Sequence, residues 1–295
     1  MPPATPTDPA ERLARRGAEH DALLERVRAL LESDDRVAAA WLFGSRGRGD
    51  ADALSDVDLV VVAHEEHLEA LKRERRDIVA RLGAPLLIQD LPSNAPPGGA
   101  YLLVLYPGET GPLHMDWYWR GLSGAVVPHD ACLLIRRSGV TVPREPLSAA
   151  ATATEEAIDI ARSVIFFWAM APIAAKYLAR QCPAEAFDLL RMLTNALDRV
   201  RQAAECDAEY RANNQPGERW RGMLTVDLRE QSRTLRHLCT EMEALLPRIG
   251  PLHPIAGHVT PETPQYVLRF IDLVESLIMC DRRASDTASG VVRER

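Results

Sequence analysis

Apolar side chains recur at helical intervals between residues 9 and 33, at Leu13, Leu23, Leu24, Val27, Leu30 and Leu31, with charged residues between them. That spacing predicts a surface helix with one apolar stripe. Two short apolar runs follow, VAAAWLF at 37–43 and DVDLVVVA at 56–63, and both predict strands. A Gly/Arg/Asp-rich loop separates them. Residues 64–82 return to wider spacing, with Leu68, Leu71, Ile78, Val79 and Leu82 as the apolar positions, and Gly83 and Pro85 stop the predicted helix. Strand-like runs then occupy 86–89, 101–106 and 113–119, the last two joined by PGETGP, whose glycines and prolines suit a hairpin. CLLIR at 132–136 predicts one more strand.

After Pro146 the texture changes. Residues 151–181, 183–206, 223–246 and 262–283 are rich in alanine and leucine, spaced for helices and separated by loops such as NNQPGE. The pattern predicts an α+β protein of two parts. A mixed-sheet domain spans 1–147, including the helix at 9–33, and an all-α helical bundle spans 148–283, with the linker at SGVTVPREPLS and a loose tail at 284–295. No internal repeat interrupts this division.

Composition narrows the function classes. The chain has 295 residues, 46% of them hydrophobic, enough for two real cores. Its 42 acidic residues exceed its 35 basic ones, a net charge of −7, so it offers no field to hold a nucleic-acid backbone. The first 150 residues hold 22 acidic and 17 basic side chains (−5), the rest 20 and 18 (−2), so a cationic ligand would be drawn to the first part. Only Lys72 and Lys176 are lysines, which makes a retained lysine worth attention. The uncharged run at 163–175 is 13 residues long and contains Pro172, too short for a hydrocarbon core about 30 Å thick. The N-terminus has charges of both signs and no apolar signal core, so a cytoplasmic protein is expected. Five cysteines, at 132, 182, 206, 239 and 280, form no CxxC pair and read as thiols rather than a disulfide framework or zinc site.

The candidate chemistry lies in WLFGSRGRGDADALSDVDLVVV. A strand ends at Phe43, Gly44 permits a close backbone approach, and Ser45 offers a hydroxyl and an N–H near a helix start, a turn suited to cradling phosphate. Asp56 and Asp58 then stand at i and i+2 of a strand, so both carboxylates point to one face. Such a pair calls for a cation, and Mg²⁺ prefers carboxylates with phosphate oxygens and water. The same alternation in LHMDWYW puts His114, Asp116 and Tyr118 on one face and Met115, Trp117 and Trp119 on the other, under the helices. Asp116 is then either a third ligand or an exposed hairpin carboxylate. Three carboxylates with two metal ions suit in-line displacement at phosphorus, with pyrophosphate leaving.

GSRGRGDADALSDVDLVVV, with ten residues between Ser45 and Asp56, resembles the GS…DxD signature of the DNA polymerase beta-like nucleotidyltransferase superfamily. The hairpin with Asp116 and the segment VIFFWAMAPIAAKYLAR further resemble the antibiotic nucleotidyltransferases, especially the aminoglycoside 6-adenylyltransferase type, and lincosamides are a related substrate class. The resemblance covers roughly residues 37–182. It implies an N-terminal nucleotidyltransferase domain with Gly44 and Ser45 at the triphosphate, Asp56, Asp58 and Asp116 on two Mg²⁺ ions, and Lys176 reaching phosphate from a helical domain that completes the cleft. The expected reaction moves a nucleoside monophosphate, AMP from ATP, to a hydroxyl of a small aminoglycoside-like acceptor, an antibiotic-resistance activity. No nucleic-acid or membrane partner is expected.

The residues leave several choices open. Lys176, a compact ammonium on a flexible stem, suits a phosphate in a confined cleft or else snorkels from its helix. Arg180 follows one turn later, and Pro172 would kink the helix. Some antibiotic nucleotidyltransferases carry a catalytic glutamate one turn before this lysine, where this chain has Pro172. The general base is then Asp116 first, with Glu155, Glu156 and Asp90 behind it. Arg46 and Arg48 either cover the triphosphate or are solvated; the aromatic cluster at 166–168 reads as bundle core. Two other readings are a nucleotidyltransferase-type antitoxin, for which the Arg233 and His237 spacing fits poorly, and a protein-modifying, AMPylating enzyme.

Overall fold

The computed structural model describes residues 8–145, 160–205, 225–249 and 258–290. It divides into two compact units, one of Leu13–Ala157 and one of Ile158–Arg295 with the first residues of the chain to Arg12. The α+β architecture is the expected one, a mixed sheet followed by helices.

The first helix, α1 (Pro9–Glu32), has the predicted apolar stripe, and it buries Leu23, Val27 and Leu31. Strands β1 (Val37–Phe43) and β2 (Val57–Ala63) pair antiparallel, with α2 (Gly44–Arg48) between them. Helix α3 (Leu68–Ala80) leads to β3 (Leu87–Asp90), β4 (Ala100–Tyr106) and β5 (Leu113–Gly121). Two-residue strands β6 (Val127–Pro128) and β8 (Arg144–Glu145) flank β7 (Cys132–Arg136) in the chain and pair with each other in parallel. The six-stranded sheet runs β3-β4-β5-β2-β1-β7. Strand β2 is central, parallel to β5, and almost unbroken in apolar residues because both of its faces are covered.

The two faces have different jobs. On one, Val57, Leu59, Val61, Leu102, Val104, Met115, Trp117 and Trp119 form a core with Leu23 and Val27 of α1 and Leu71, Ile78 and Val79 of α3. The Trp117 and Trp119 rings stack at 5.5 Å and an interplanar angle of 13°. The tryptophans thus lie under the helices, as the alternation predicts. The other face carries Trp41, Val60 and Val62 in a smaller cluster with Ala125, Val127 and Ala131, and towards one end it carries the aspartates.

Several predicted boundaries move. Strand β2 starts at Val57, so Asp56 is the last loop residue rather than a strand residue. The helix expected at 64–82 becomes a 3₁₀ turn, Glu65–His67, followed by α3. The strands β6 and β8 escape prediction because two residues carry no periodicity.

The helical unit contains α4 (Ile160–Ala179), α5 (Pro183–Glu205), α6 (Leu228–Ile249) and α7 (Thr263–Gly290), the last running beyond the point at 284 where the sequence suggests a tail. Phe167 and Trp168 are fully buried in it and meet edge to face at 5.2 Å, the core role expected of that cluster. Pro172 lies inside α4, whose helical assignment continues through it. Among the described residues no helix is long and apolar enough to cross a membrane. The four described cysteines, 132, 182, 239 and 280, are free thiols, and Cys206 lies outside the described residues.

Truncating Trp117, which has no exposed surface, is expected to destabilise the sheet unit by about 3–5 kcal/mol. Urea denaturation of Trp117→Ala against wild type checks this, and a loss below about 1 kcal/mol would contradict the packing described.

Candidate active site

Strand register assembles the site. In the β2–β5 pair Asp58 stands opposite Asp116, and in the β1–β2 pair Phe43 stands opposite Asp58. Asp116 and Asp58 therefore share one face at neighbouring positions, as the alternation requires. Asp56 joins them from the end of the loop. The half-buried Tyr118 phenol feels all three, its proton held more tightly than usual by burial first and then by Asp116, Asp58 and Asp56.

Two local structures set these carboxylates. Gly44 opens α2 at φ +61°, a left-handed conformation that glycine tolerates best. A Cβ built there would lie 2.2 Å from Asp58 Oδ2, so the missing side chain is what lets the Asp58 carboxylate pack against the turn. The Ser45 carbonyl accepts N–H bonds from Gly49 and from Asp50, the latter at 3.1 Å, so GSRGR coils as a short helix instead of an open turn. Upstream of Asp56, Asp52 Oδ1 accepts the Leu54 N–H at 3.0 Å and the Ser55 hydroxyl at 2.8 Å, while Ser55 Oγ accepts the Asp52 N–H at 3.0 Å. This Asx turn fixes the loop that delivers Asp56 to the strand. The D-x-x-S spelling was its available signal.

His114 and Tyr101 close the site from β5 and β4. His114 Nε2 lies 3.2 Å from Asp116 Oδ1, and its Nδ1 lies 3.9 Å from Asp56 Oδ2, so the imidazole stands between two of the carboxylates. A carboxylate can only accept, so Nε2 carries the proton on that side. The Tyr101 hydroxyl donates to the same Asp116 Oδ1 at 2.6 Å. Burial, reinforced by Asp116, pushes the Tyr101 phenol far above its ordinary range and keeps it a donor.

Helix α1 braces the site from behind. Arg16 is buried and donates to the carbonyl of Pro112 at 2.6 Å and of Gly111 at 3.4 Å; burial pushes its guanidinium down to about 10. Glu19 accepts the Glu109 N–H at 2.6 Å, and Arg15 pairs with Glu109. The hairpin loop feeding β5 is thereby tied to a helix more than ninety positions away in sequence. Arg46 turns toward this helix too, 3.7 Å from Asp21, with burial lowering its pKa and Asp21, Asp56 and Asp52 opposing that fall. His20 is fully buried, its Nδ1 hydrogen-bonded to the Arg16 carbonyl at 3.1 Å. Burial, followed by Arg16 and Arg46, pushes His20 down to about 3 and keeps it neutral.

The expected site residues divide accordingly. Gly44, Ser45, Arg46, Asp56, Asp58 and Asp116 all lie in the sheet unit around β1, β2 and β5, whereas Lys176 is a buried residue of α4 in the helical unit and Arg180 is exposed just past its end. Arg48 is exposed and paired with Asp50. Asp90 is removed as a candidate base: its register partner Leu102 faces Trp117, on the helix side of the sheet, and its carboxylate is bound by Arg75 of α3. Glu155 and Glu156 lie outside the described residues.

Among the described residues no three His, Cys, Asp or Glu side chains are gathered tightly enough to form a ready metal cage. The donor chemistry nevertheless fits a hard divalent cation, since Asp58 and Asp116 are neighbouring carboxylates and both hydrogen bonds to Asp116 fall on Oδ1.

Residues 25–98 match the family model described as Polymerase beta, Nucleotidyltransferase. That stretch holds Gly44, Ser45, Asp56 and Asp58, and the β2–β5 register adds Asp116 beyond it. Residues 25–98 therefore carry a nucleotidyltransferase domain. No curated protein matches the chain in sequence. Ten solved chains match in structure, among them the STING-associated CdnE c-di-GMP synthase of Capnocytophaga granulosa, at 11% identity, 91% of this chain, 81% of that chain and a TM-score of 0.26.

Gly44→Ala is expected to lower stability by about 1–2 kcal/mol through the left-handed backbone and, by displacing Asp58, to lower turnover far more than that loss explains. Thermal melts alongside pyrophosphate release separate the two effects. A second expectation concerns pH. The unfolded His20 takes a proton near its ordinary 6.5 while the folded one resists until about 3, so the unfolded state binds more protons between those values and stability falls as pH drops through them. Urea titrations from pH 7 to 4 should show a shallower pH slope for His20→Gln than for wild type; equal slopes would rule out a neutral buried His20.

Proposed function

We propose that the protein is a nucleotidyltransferase that transfers a nucleoside monophosphate, with ATP as the expected donor, to a hydroxyl of a small hydroxylated acceptor in a Mg²⁺-dependent reaction. The observation that carries the reading is the pairing of Asp58 with Asp116 beside a glycine whose absent side chain admits the Asp58 carboxylate. Asp56, Asp58 and Asp116 are the residues that would hold the metal. When bound, the metal neutralises the triphosphate and makes the acceptor hydroxyl more acidic.

The chain's own residues do the rest. Gly44 and Ser45 open α2 next to Asp58 and are the proposed seat of the triphosphate. Asp116 is the proposed base, because a metal-ligating carboxylate beside the acceptor hydroxyl can take its proton. The acceptor oxygen then bonds to the α-phosphorus, the bond to the β-phosphate's bridging oxygen breaks, and pyrophosphate departs. Arg46, near Asp56 and Asp21, is the proposed counter-charge for the phosphates.

An aminoglycoside-like acceptor is the proposed class, since the first 150 residues carry a net −5 that favours a cationic substrate. The test is a pyrophosphate-release screen with each of the four nucleoside triphosphates. Acceptors are aminoglycosides, lincosamides and other hydroxylated metabolites, with a triphosphate-only arm to catch transfer to a second nucleotide. A hit with a cationic acceptor is expected, and Asp58→Asn should reduce it at least 100-fold, on the order of a lost transition-state electrostatic contact. Undiminished release by Asp58→Asn would overturn the mechanism.

A further inference from the structure

Asp116 is held unlike an ordinary strand carboxylate. Both of its hydrogen bonds, from the Tyr101 hydroxyl at 2.6 Å and from His114 Nε2 at 3.2 Å, fall on Oδ1. The donors come from different strands. Tyr101 pairs in register with Tyr118, one step along the same face from Asp116, and its ring packs against Tyr118 at 4.9 Å while Tyr118 meets Phe43 at 5.2 Å. Tyr101 is only 3% exposed, so the hydroxyl has little freedom to turn elsewhere. His114 is held in a narrow place as well, 6% exposed on the face that Asp116 shares.

We infer that Tyr101, assisted by His114, is a positioning residue that saturates Oδ1 of Asp116 and dedicates Oδ2 to a divalent cation at the Asp58 side of the site. The inference rests on the metal-dependent reading proposed above. Its physical content is orientation. A carboxylate with neither oxygen fixed samples both rotamers, whereas two donors on one oxygen select the rotamer that presents the other and raise the metal affinity. An aromatic hydroxyl suits this task because its O–H can donate to a carboxylate, which only accepts, from a ring fixed by packing. His114 contributes from the same strand, and its other nitrogen faces Asp56, so one ring spaces two of the three carboxylates.

The experiment measures metal binding rather than turnover. Mn²⁺ is titrated into the full chain with a non-hydrolysable nucleoside triphosphate, free Mn²⁺ is read by electron paramagnetic resonance, and circular dichroism monitors folding. Tyr101→Phe, which removes only the hydroxyl, is expected to raise the Mn²⁺ dissociation constant by about 10-fold or more while the chain stays folded. His114→Leu should weaken binding and His114→Gln, which keeps an N–H donor, should weaken it less. Wild-type Mn²⁺ affinity in Tyr101→Phe, with normal binding by the parent, overturns the positioning role and leaves the metal reading standing. If the parent binds no Mn²⁺ with nucleotide, the metal reading falls and the inference with it. Should Tyr101→Phe unfold, the His114 pair decides, and equal weakening by Gln and Leu counts against donation to Oδ1.

Discussion

The parallel pairing of β2 with β5 is the constraint on which the site depends, because it sets two carboxylates side by side against their mutual repulsion. Neighbouring strands lie about 5 Å apart. Two negative charges at that spacing repel by about 3 kcal/mol at an effective dielectric of about 20. The sheet absorbs this because the opposite face of the same strands is a dense apolar core, with Leu59 and Val61 of β2 and Trp117 and Trp119 of β5 packed beneath α1 and α3. A slip of one residue would send Asp58 and Asp116 into that core and the tryptophans into the site. Apolar burial thus enforces electrostatic crowding.

The crowding is then tempered by protein groups rather than by distance. His114 stands between Asp56 and Asp116, Tyr101 donates to Asp116, and Arg46 is near Asp56. Each of these sits on a different element, so the charge balance is a property of the assembled unit. Helix α1 takes part through Arg16 and Glu19, whose contacts end on the backbone of the loop before β5. It buries its apolar stripe on the sheet and its polar edge on the hairpin loop.

Much of this was legible in the sequence, for definable reasons. The strands β1, β2, β5 and β7 were readable because uninterrupted apolar or alternating runs leave few competing structures, and the face shared by His114, Asp116 and Tyr118 followed from period-two geometry. The GS turn and the two aspartates were readable because their spacing is local. The Arg16 and Glu19 contacts to the hairpin loop were not, since they join positions far apart in the chain and no periodicity encodes a partner. Asp90 illustrates the same limit. Its strand was visible, but its face depended on pairing register with β4 and on Arg75 of α3. Tyr101 lay within reach: once the hairpin closes at Tyr106 and Leu113, counting inward pairs Tyr101 with Tyr118 and brings its hydroxyl beside Asp116.

That hairpin loop, Pro107–Pro112, has a consequence for how the gene tolerates change. Most surface loops accept insertions and deletions because only their ends are fixed. Here both ends and the middle are fixed, by the β4–β5 register and by Arg16 and Glu19 gripping the backbone of Glu109, Gly111 and Pro112. A single added or lost codon would shift either the grip or the register, and the register alone decides which face Asp116 occupies. Length changes are therefore expected to be tolerated in other loops, while this largely buried hairpin loop admits substitution alone.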